Sequence, residues 1–291
     1  MTTTSFAETG REPVSALPRP GRQPVALPSL LRTSLVRGRT ELRQFSRQRD
    51  SVIFTFALPV ILLLLFGQIF HGQIGHTGVS FRQYFIAGII ASGLMSTTFV
   101  GLGVSIAADR EDGTLGRLAG TPLPPAAYFA GKAILAIGLS LAEVTALLGV
   151  GVSVLGLHLP ATPGRWLTFG WVLLLGSLTC SLLGIAAGCV ASSTRSSFAV
   201  LNLPYLVLSF ISGVYFVFSR LPAGLQHVAA VFPLKWICQG LRSVFLPDRM
   251  LAAEPAGSWE HGRIALVLAA WLVVSLVVCV RTFRWRGQEA R

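Results

Sequence analysis

Glu143 is an acid set among apolar residues. It lies about eleven residues, or roughly 16 Å as helix, into the apolar run 133–157. A carboxyl group near the middle of a bilayer is costly and marks either function or a satisfied polar contact. Two readings stay open. It could meet a cationic molecule crossing the membrane, or it could hydrogen-bond to hydroxyls of a neighbouring helix, such as Thr97 or Thr98. The second chemistry-bearing stretch is Asp109 to Lys132, DREDGTLGRLAGTPLPPAAYFAGK. Asp109, Glu111 and Asp112 precede a short helix-like segment, where acids suit a helix N-terminus. Leu115 and Leu118 share one face and Arg117 points elsewhere. Thr121-Pro122 stops the helix, and Pro124-Pro125 is expected to keep the chain extended. The stretch reads as a short charged helix on a membrane surface, braced by the apolar runs on both sides and able to pass on a push from a partner. The plain alternative is a solvated loop whose charges only fix topology.

Other chemistries find no residues. The only Gly-Lys pair, Gly131-Lys132, lacks the glycine frame and the following Ser or Thr of a phosphate-binding loop, so this chain is not expected to hydrolyse ATP. No paired acids, Ser-His-Asp set or metal cluster points to a membrane enzyme. Cys180, Cys189, Cys238 and Cys279 form no CxxC pair and read as small apolar residues. His71, His76, His158, His227 and His261 fit no metal-site spacing. A net charge of +12 raises the question of nucleic acid. The basic residues cluster at the ends of apolar segments, and no basic, aromatic-interleaved soluble domain is present, so nucleic acid is not an expected partner.

The elements that position these residues follow from hydropathy. The chain has 291 residues, 52% hydrophobic and 12% charged. Its mean hydropathy is +0.65. Such a composition, with apolar runs long enough to cross a bilayer, predicts an all-α polytopic membrane protein. Six transmembrane helices are expected over 52–70, 84–108, 133–157, 166–191, 198–218 and 264–280. The second run is rich in Gly, Ala, Ser and Thr, which suits close helix contact. The stretch 221–246 is broken by Pro222, Gly224 and Pro233 and carries Lys235 and Arg242. Each half is about ten residues, roughly 15 Å, too short to span. It reads as a re-entrant or interfacial helical hairpin before the last span.

Residues 1–28 lack an apolar core for a signal peptide and read as a disordered cytoplasmic tail. Residues 29–49 read as an N-terminal interfacial amphipathic helix. Leu31, Leu35, Leu42 and Phe45 fall in roughly an 80° arc, with Arg32, Arg37, Arg39, Arg43 and Arg47 outside it. The permease domain is expected to cover 29–285, with a cytoplasmic tail at 286–291. Six spans with both ends inside put 17 of the 24 Lys and Arg in the cytoplasm and 7 outside. Counting the hairpin as a seventh span would export the arginine-rich C-terminus, against the positive-inside rule.

Glu111-x-Gly113-Thr114-Leu115-x-Arg117-Leu118, followed by Thr121-Pro122, Tyr128 and Gly131-Lys132, resembles the coupling segment of type II ABC exporter permeases of the daunorubicin-resistance kind. These are the membrane subunits of drug, lipid and polysaccharide exporters. The interfacial helix before the first span is similar too. So is the hairpin string Leu221-Pro222-x-x-Leu225-Gln226, Phe232-Pro233-Leu234 and Gly240-Leu241-Arg242, although Lys235-Trp236 departs from the family's usual Thr-Tyr or Thr-Pro. The resemblance covers about 29–285. It implies a non-catalytic permease of the cell membrane, related to multidrug resistance, that exports an amphipathic drug, lipid or glycan. It implies a dimer with a second copy or a sister permease, and two copies of a separate ABC ATPase subunit. No cofactor is expected on this chain; ATP and Mg belong to the ATPase. Glu111, Gly113, Thr114, Leu115, Arg117 and Leu118 would meet that ATPase. Glu143, Thr97 and Thr98 would lie on the translocation path, and Pro222, Pro233 and Arg242 in the extracellular hairpin. The rival is a secondary transporter driven by an ion gradient, which calls for paired intramembrane ionisable residues and an internal repeat. The chain shows one such acid and no clear repeat.

Overall fold

The computed structural model describes residues 29–70, 72–74, 77–190 and 193–282. The expected tails, and His71 and His76, lie outside them. The described residues form eleven α-helices: α1 Leu30–Arg47, α2 Arg49–Ile69, α3 Phe81–Met95, α4 Leu102–Glu111, α5 Thr114–Ala119, α6 Pro125–Leu155, α7 Pro163–Val190, α8 Thr194–Ile211, α9 Ala223–Val231, α10 Pro233–Phe245 and α11 His261–Thr282. Among them no strand occurs, only one isolated bridge between Gln73 and Ser80. The chain is an all-α polytopic membrane protein.

Among the described residues five helical segments are long and apolar enough to cross a bilayer: Arg49–Ile69, Phe81–Glu111, Pro125–Leu155, Pro163–Val190 and His261–Arg281. The second runs through α3, a six-residue π-helical segment at Ser96–Gly101, and α4. The expected fifth span, 198–218, is helical only as α8. A capping box of Ser193 and Ser196 starts it early, and it ends at Ser212, before Gly213 with φ +80°. Its 18 residues reach about 27 Å, slightly short of the ~30 Å hydrocarbon core.

Phe81–Glu111 is the centre of the molecule, with 89% of its apolar window buried against 17% for α2 and 22% for α11. Small residues allow this. Gly184 of α7 comes so close to the π segment that an added Cβ would lie 2.5 Å from the Phe99 carbonyl oxygen. Thirty buried apolar side chains, among them Ile90, Leu94, Leu147, Val172 and Ile237, form the main core. All of α10 is buried in it, against α3, α7 and α11. The hairpin therefore is two short helices, as its prolines imply. Pro222 is the N-cap of α9 and Pro233 the first residue of α10, where a missing N–H is harmless.

One expectation needs correction beside α5. Pro124 is extended, with ψ 143°, but Pro125 opens α6 rather than prolonging an extended stretch. Helix α6 thus begins eight residues before the expected span. On α1, the leucine stripe is split: Leu42 lies against Gly138 of α6 and is half-buried. The fully buried residues of the helix are Ser34, Gly38 and Glu41, while Leu31 and Leu35 remain 77% and 62% exposed.

Candidate functional site

The turn into α5 uses Gly113 at φ +70°, a left-handed conformation that glycine adopts without strain. It folds α5 back after α4. Within α5, Leu115 is only 3% exposed and fastens the helix to the body. It is therefore no free apolar plug. Gly113 and Arg117 are exposed, and Thr114 and Leu118 are half-buried. Arg117 stays on its own helix, donating to the Thr114 hydroxyl at 3.2 Å and to the Asp112 carbonyl at 3.4 Å.

Glu111 is exposed but occupied. Its carboxylate accepts the Thr194 N–H at 2.8 Å, at the first residue of α8. Its neighbour Arg110 donates to the Cys189 carbonyl at 2.7 Å and to the Gly188 carbonyl at 3.3 Å, at the last turn of α7. An acid at a helix N-terminus and a cation at a helix C-terminus each complement the helix dipole. The two side chains clasp the α7–α8 turn from the end of α4.

The base of the same segment holds a buried ion cluster. Lys132, 1% exposed, lies 2.8 Å from the Asp109 carboxylate and 3.0 Å from the Glu41 carboxylate. It also donates to the Ser105 hydroxyl at 2.8 Å. Tyr128 donates to Asp109 at 2.7 Å, and Arg37 pairs with Glu41. The Arg37 guanidinium and the Lys132 ammonium lie 5.7 and 5.8 Å from the Tyr128 ring centroid. Two cations and two carboxylates balance, so the cluster is neutral and its charges are paired, as burial demands. It joins α1, α4 and α6 at the root of α5. Sequence reasoning noticed Tyr128 and Lys132 only as motif letters and missed Glu41. One signal existed: Glu41 is the sole acid among the arginines of 29–49.

Mid-membrane, Glu143 is 2% exposed. It presses on Gly93 of α3, where an added Cβ would collide with its carboxylate. Neither carboxylate oxygen has a hydrogen bond of normal geometry. Thr97 interacts favourably with it, but that hydroxyl bonds the Gly93 and Leu94 carbonyls and Ser140. Thr98 bonds the Leu94 carbonyl. The expected hydroxyl partnership is therefore absent for Thr98 and at best weak for Thr97. Both threonines sit in the π segment, a feature frequent at functional sites. On the other side of Gly93 is a groove of about 330 Å³ between α2, α3 and α8, lined by Ser92, Ser96, Thr97 and Tyr205 among apolar residues.

The hairpin carries a second set of buried charges. Arg242 pairs with Glu254 at 3.0 Å, donates to the Ser212 and Cys238 carbonyls and lies 5.0 Å from the Tyr84 ring centroid. Lys235 donates to Gln239, sits 3.4 Å from the Trp236 ring centroid and faces Glu260 at 3.9 Å. Burial pushes the Lys235 amine down to about 8, with Glu260 opposing. These contacts fix the hairpin and make no catalytic set. Among the described residues no group of three or more His, Cys, Asp or Glu could hold a metal.

The family model described as ABC-2 type transporter matches residues 35–246, from within α1 through the end of the hairpin. The chain is also similar to a Bacillus subtilis (strain 168) protein named transport permease YvfS. It is 19% identical to it over 193 residues, which cover 66% of this chain and 77% of the relative.

Proposed function

The chain belongs to the ABC-2 type transporter family, and on that premise we propose that it exports an amphipathic drug, lipid or glycan, driven through α5 by a separate ATPase. It is a multi-pass membrane permease of an ABC system, a subunit that works with an ABC ATPase. In the proposal two permeases and two ATPase subunits assemble in the cell membrane with the permease termini in the cytoplasm. ATP and Mg stay on the ATPase, and this chain is non-catalytic.

One observation carries the reading. Helix α5 projects exposed Arg117 and half-buried Leu118 from a segment whose two ends are ion-paired through Asp109 and Lys132. A helix so braced cannot absorb a displacement locally. Gly113, Thr114, Arg117 and Leu118 form the docking face. Leu115 anchors the helix, and Glu111 relays its position to α8. Helix α1 lies in the cytoplasmic headgroup layer, pinned to the same cluster. The substrate passes along the groove lined by Thr97, with the buried Thr98 next to it in sequence and Glu143 behind the Gly93 wall. The test is vesicle transport by the reconstituted complex. Substitution of Leu118 by Asp should abolish ATP-driven movement while the chain still inserts.

A further inference from the structure

Helix α1 carries an uncovered face with two kinds of residue on it. Around the helix from the buried Ser34, Gly38 and Glu41 come Leu31 and Leu35, both exposed. Beyond them, within roughly a quarter turn of the wheel, come Arg39, Arg32, Arg43 and Arg47, all exposed. None of these four side chains makes a hydrogen bond or ion pair with another described residue, whereas Arg37 is drawn inward by Glu41. The exposed face is thus an apolar strip bordered by a strip of guanidiniums with no partner among the described residues.

We propose that this face binds anionic phospholipid headgroups, and that the lipid thereby sets how firmly α5 is held for coupling. The proposal rests on the interfacial place of α1 and the coupling role of α5 given above. The occupant follows from the two strips together. A bilayer offers acyl chains beside phosphates, with the two side by side along the length of a helix lying in its surface. An acidic protein would satisfy the arginines but leave Leu31 and Leu35 in water. Guanidinium forks match phosphate oxygens in pairs. Each basic residue near an anionic leaflet strengthens attachment roughly fivefold. The link to α5 is short: Glu41 on the opposite side of α1 shares Lys132 with Asp109, the residue that starts the α5 segment. A shift of α1 alters the pairing of Lys132.

The test uses the full chain and its ATPase in nanodiscs of phosphatidylcholine alone or mixed with phosphatidylglycerol. Three forms are compared: wild type, Arg39→Gln/Arg43→Gln, and Arg39→Lys/Arg43→Lys. The first readout is phosphatidylglycerol retained by the isolated full chain after detergent extraction, measured by native mass spectrometry. Wild type should hold phosphatidylglycerol in preference to phosphatidylcholine. The Gln form should lose it by roughly fivefold for each arginine, and the Lys form should keep most of it. The second readout is ATP turnover. Phosphatidylglycerol should raise it severalfold for the wild-type and Lys forms and leave the Gln form at its phosphatidylcholine rate. Equal retention by the Gln and wild-type forms overturns the lipid surface. Release of the ATPase by the Gln form in phosphatidylcholine also overturns it and assigns the face to the ATPase. Arginine-dependent retention with no ATPase bound in any lipid supports the lipid surface and sinks the coupling reading instead.

Discussion

Lys132 and Asp109 are ion-paired at 2.8 Å, so the first and last residues of the segment that carries α5 are bonded to each other. The same ammonium reaches Glu41 of α1 at 3.0 Å. One buried cation therefore closes the segment that carries α5 and ties it to α1. The arrangement gives the short α5 a rigid mount, and it makes Lys132 the residue on which that rigidity depends.

Removing Lys132 should cost more than neutralising Glu41. Lys132→Met leaves Asp109 and the buried Glu41 without their shared cation. Breaking a buried pair from one side typically costs about 3–5 kcal/mol. Glu41→Gln leaves Lys132 with Asp109 and Ser105, so its cost should be smaller. Thermal unfolding of the purified variants in detergent checks the order. Equal melting of Lys132→Met and wild type would show that the cluster braces nothing.

Glu143 should be dispensable for stability but not for transport. Its oxygens accept no hydrogen bond of normal geometry, so Glu143→Gln should change stability by less than about 1 kcal/mol, and Glu143→Leu should be neutral or stabilising. Transport by the Leu form should fall at least tenfold, an order-of-magnitude expectation for losing about 1.4 kcal/mol of the carboxylate's influence on the groove through its Gly93 wall. Normal transport by the Leu form would remove Glu143 from the path.

The hairpin should show a pH signature at Lys235. Its amine titrates near 8 in the folded chain, below the ordinary lysine value of about 10.4. The unfolded chain then binds more protons between those values, so the penalty is present in full below pH 8 and is relieved as pH rises towards 10.4. Wild type should gain melting temperature relative to Lys235→Met between pH 7 and pH 10. A constant gap across that range would contradict the burial argument.

Topology is open to chemical labelling. Cysteines introduced at Ala126 and Arg286 should be shielded from a membrane-impermeant thiol reagent in intact cells, and one at Gly257 should react. Labelling at 286 would mean that 221–246 crosses the membrane.

The sequence carried the helices well because hydropathy and proline punctuation decide them. Pro222 and Pro233 open α9 and α10 as short helices, Arg49–Ile69 covers all but the last residue of the first expected run, and His261–Thr282 brackets the last. The interior of the site was less legible. Leu115 and Leu118 look alike at three-residue spacing, and only packing shows that one is buried and the other half-exposed. Glu111 reads as a surface charge until the chain returns Thr194 to meet it. The Glu41–Lys132 pair joins residues 91 apart, which no local pattern encodes. The leucine stripe of α1 marked only part of the face that packs on α6, because beside Leu42 that face uses Ser34 and Gly38, where small size allows contact. The π segment gave no compositional warning.

The central claim is that α5 is the surface on which the ATPase acts, and co-purification tests it most directly. The full chain is extracted from membranes in mild detergent, as wild type and as Leu118→Asp, and the ATPase that accompanies it is quantified. Losing a central apolar anchor commonly costs about 2 kcal/mol or more. The account predicts that wild type brings an ABC ATPase with it and that Leu118→Asp, inserted at the same level, retains less than roughly a tenth as much. Equal ATPase on both forms, with transport intact in the variant, would contradict the claim and reduce α5 to a surface loop.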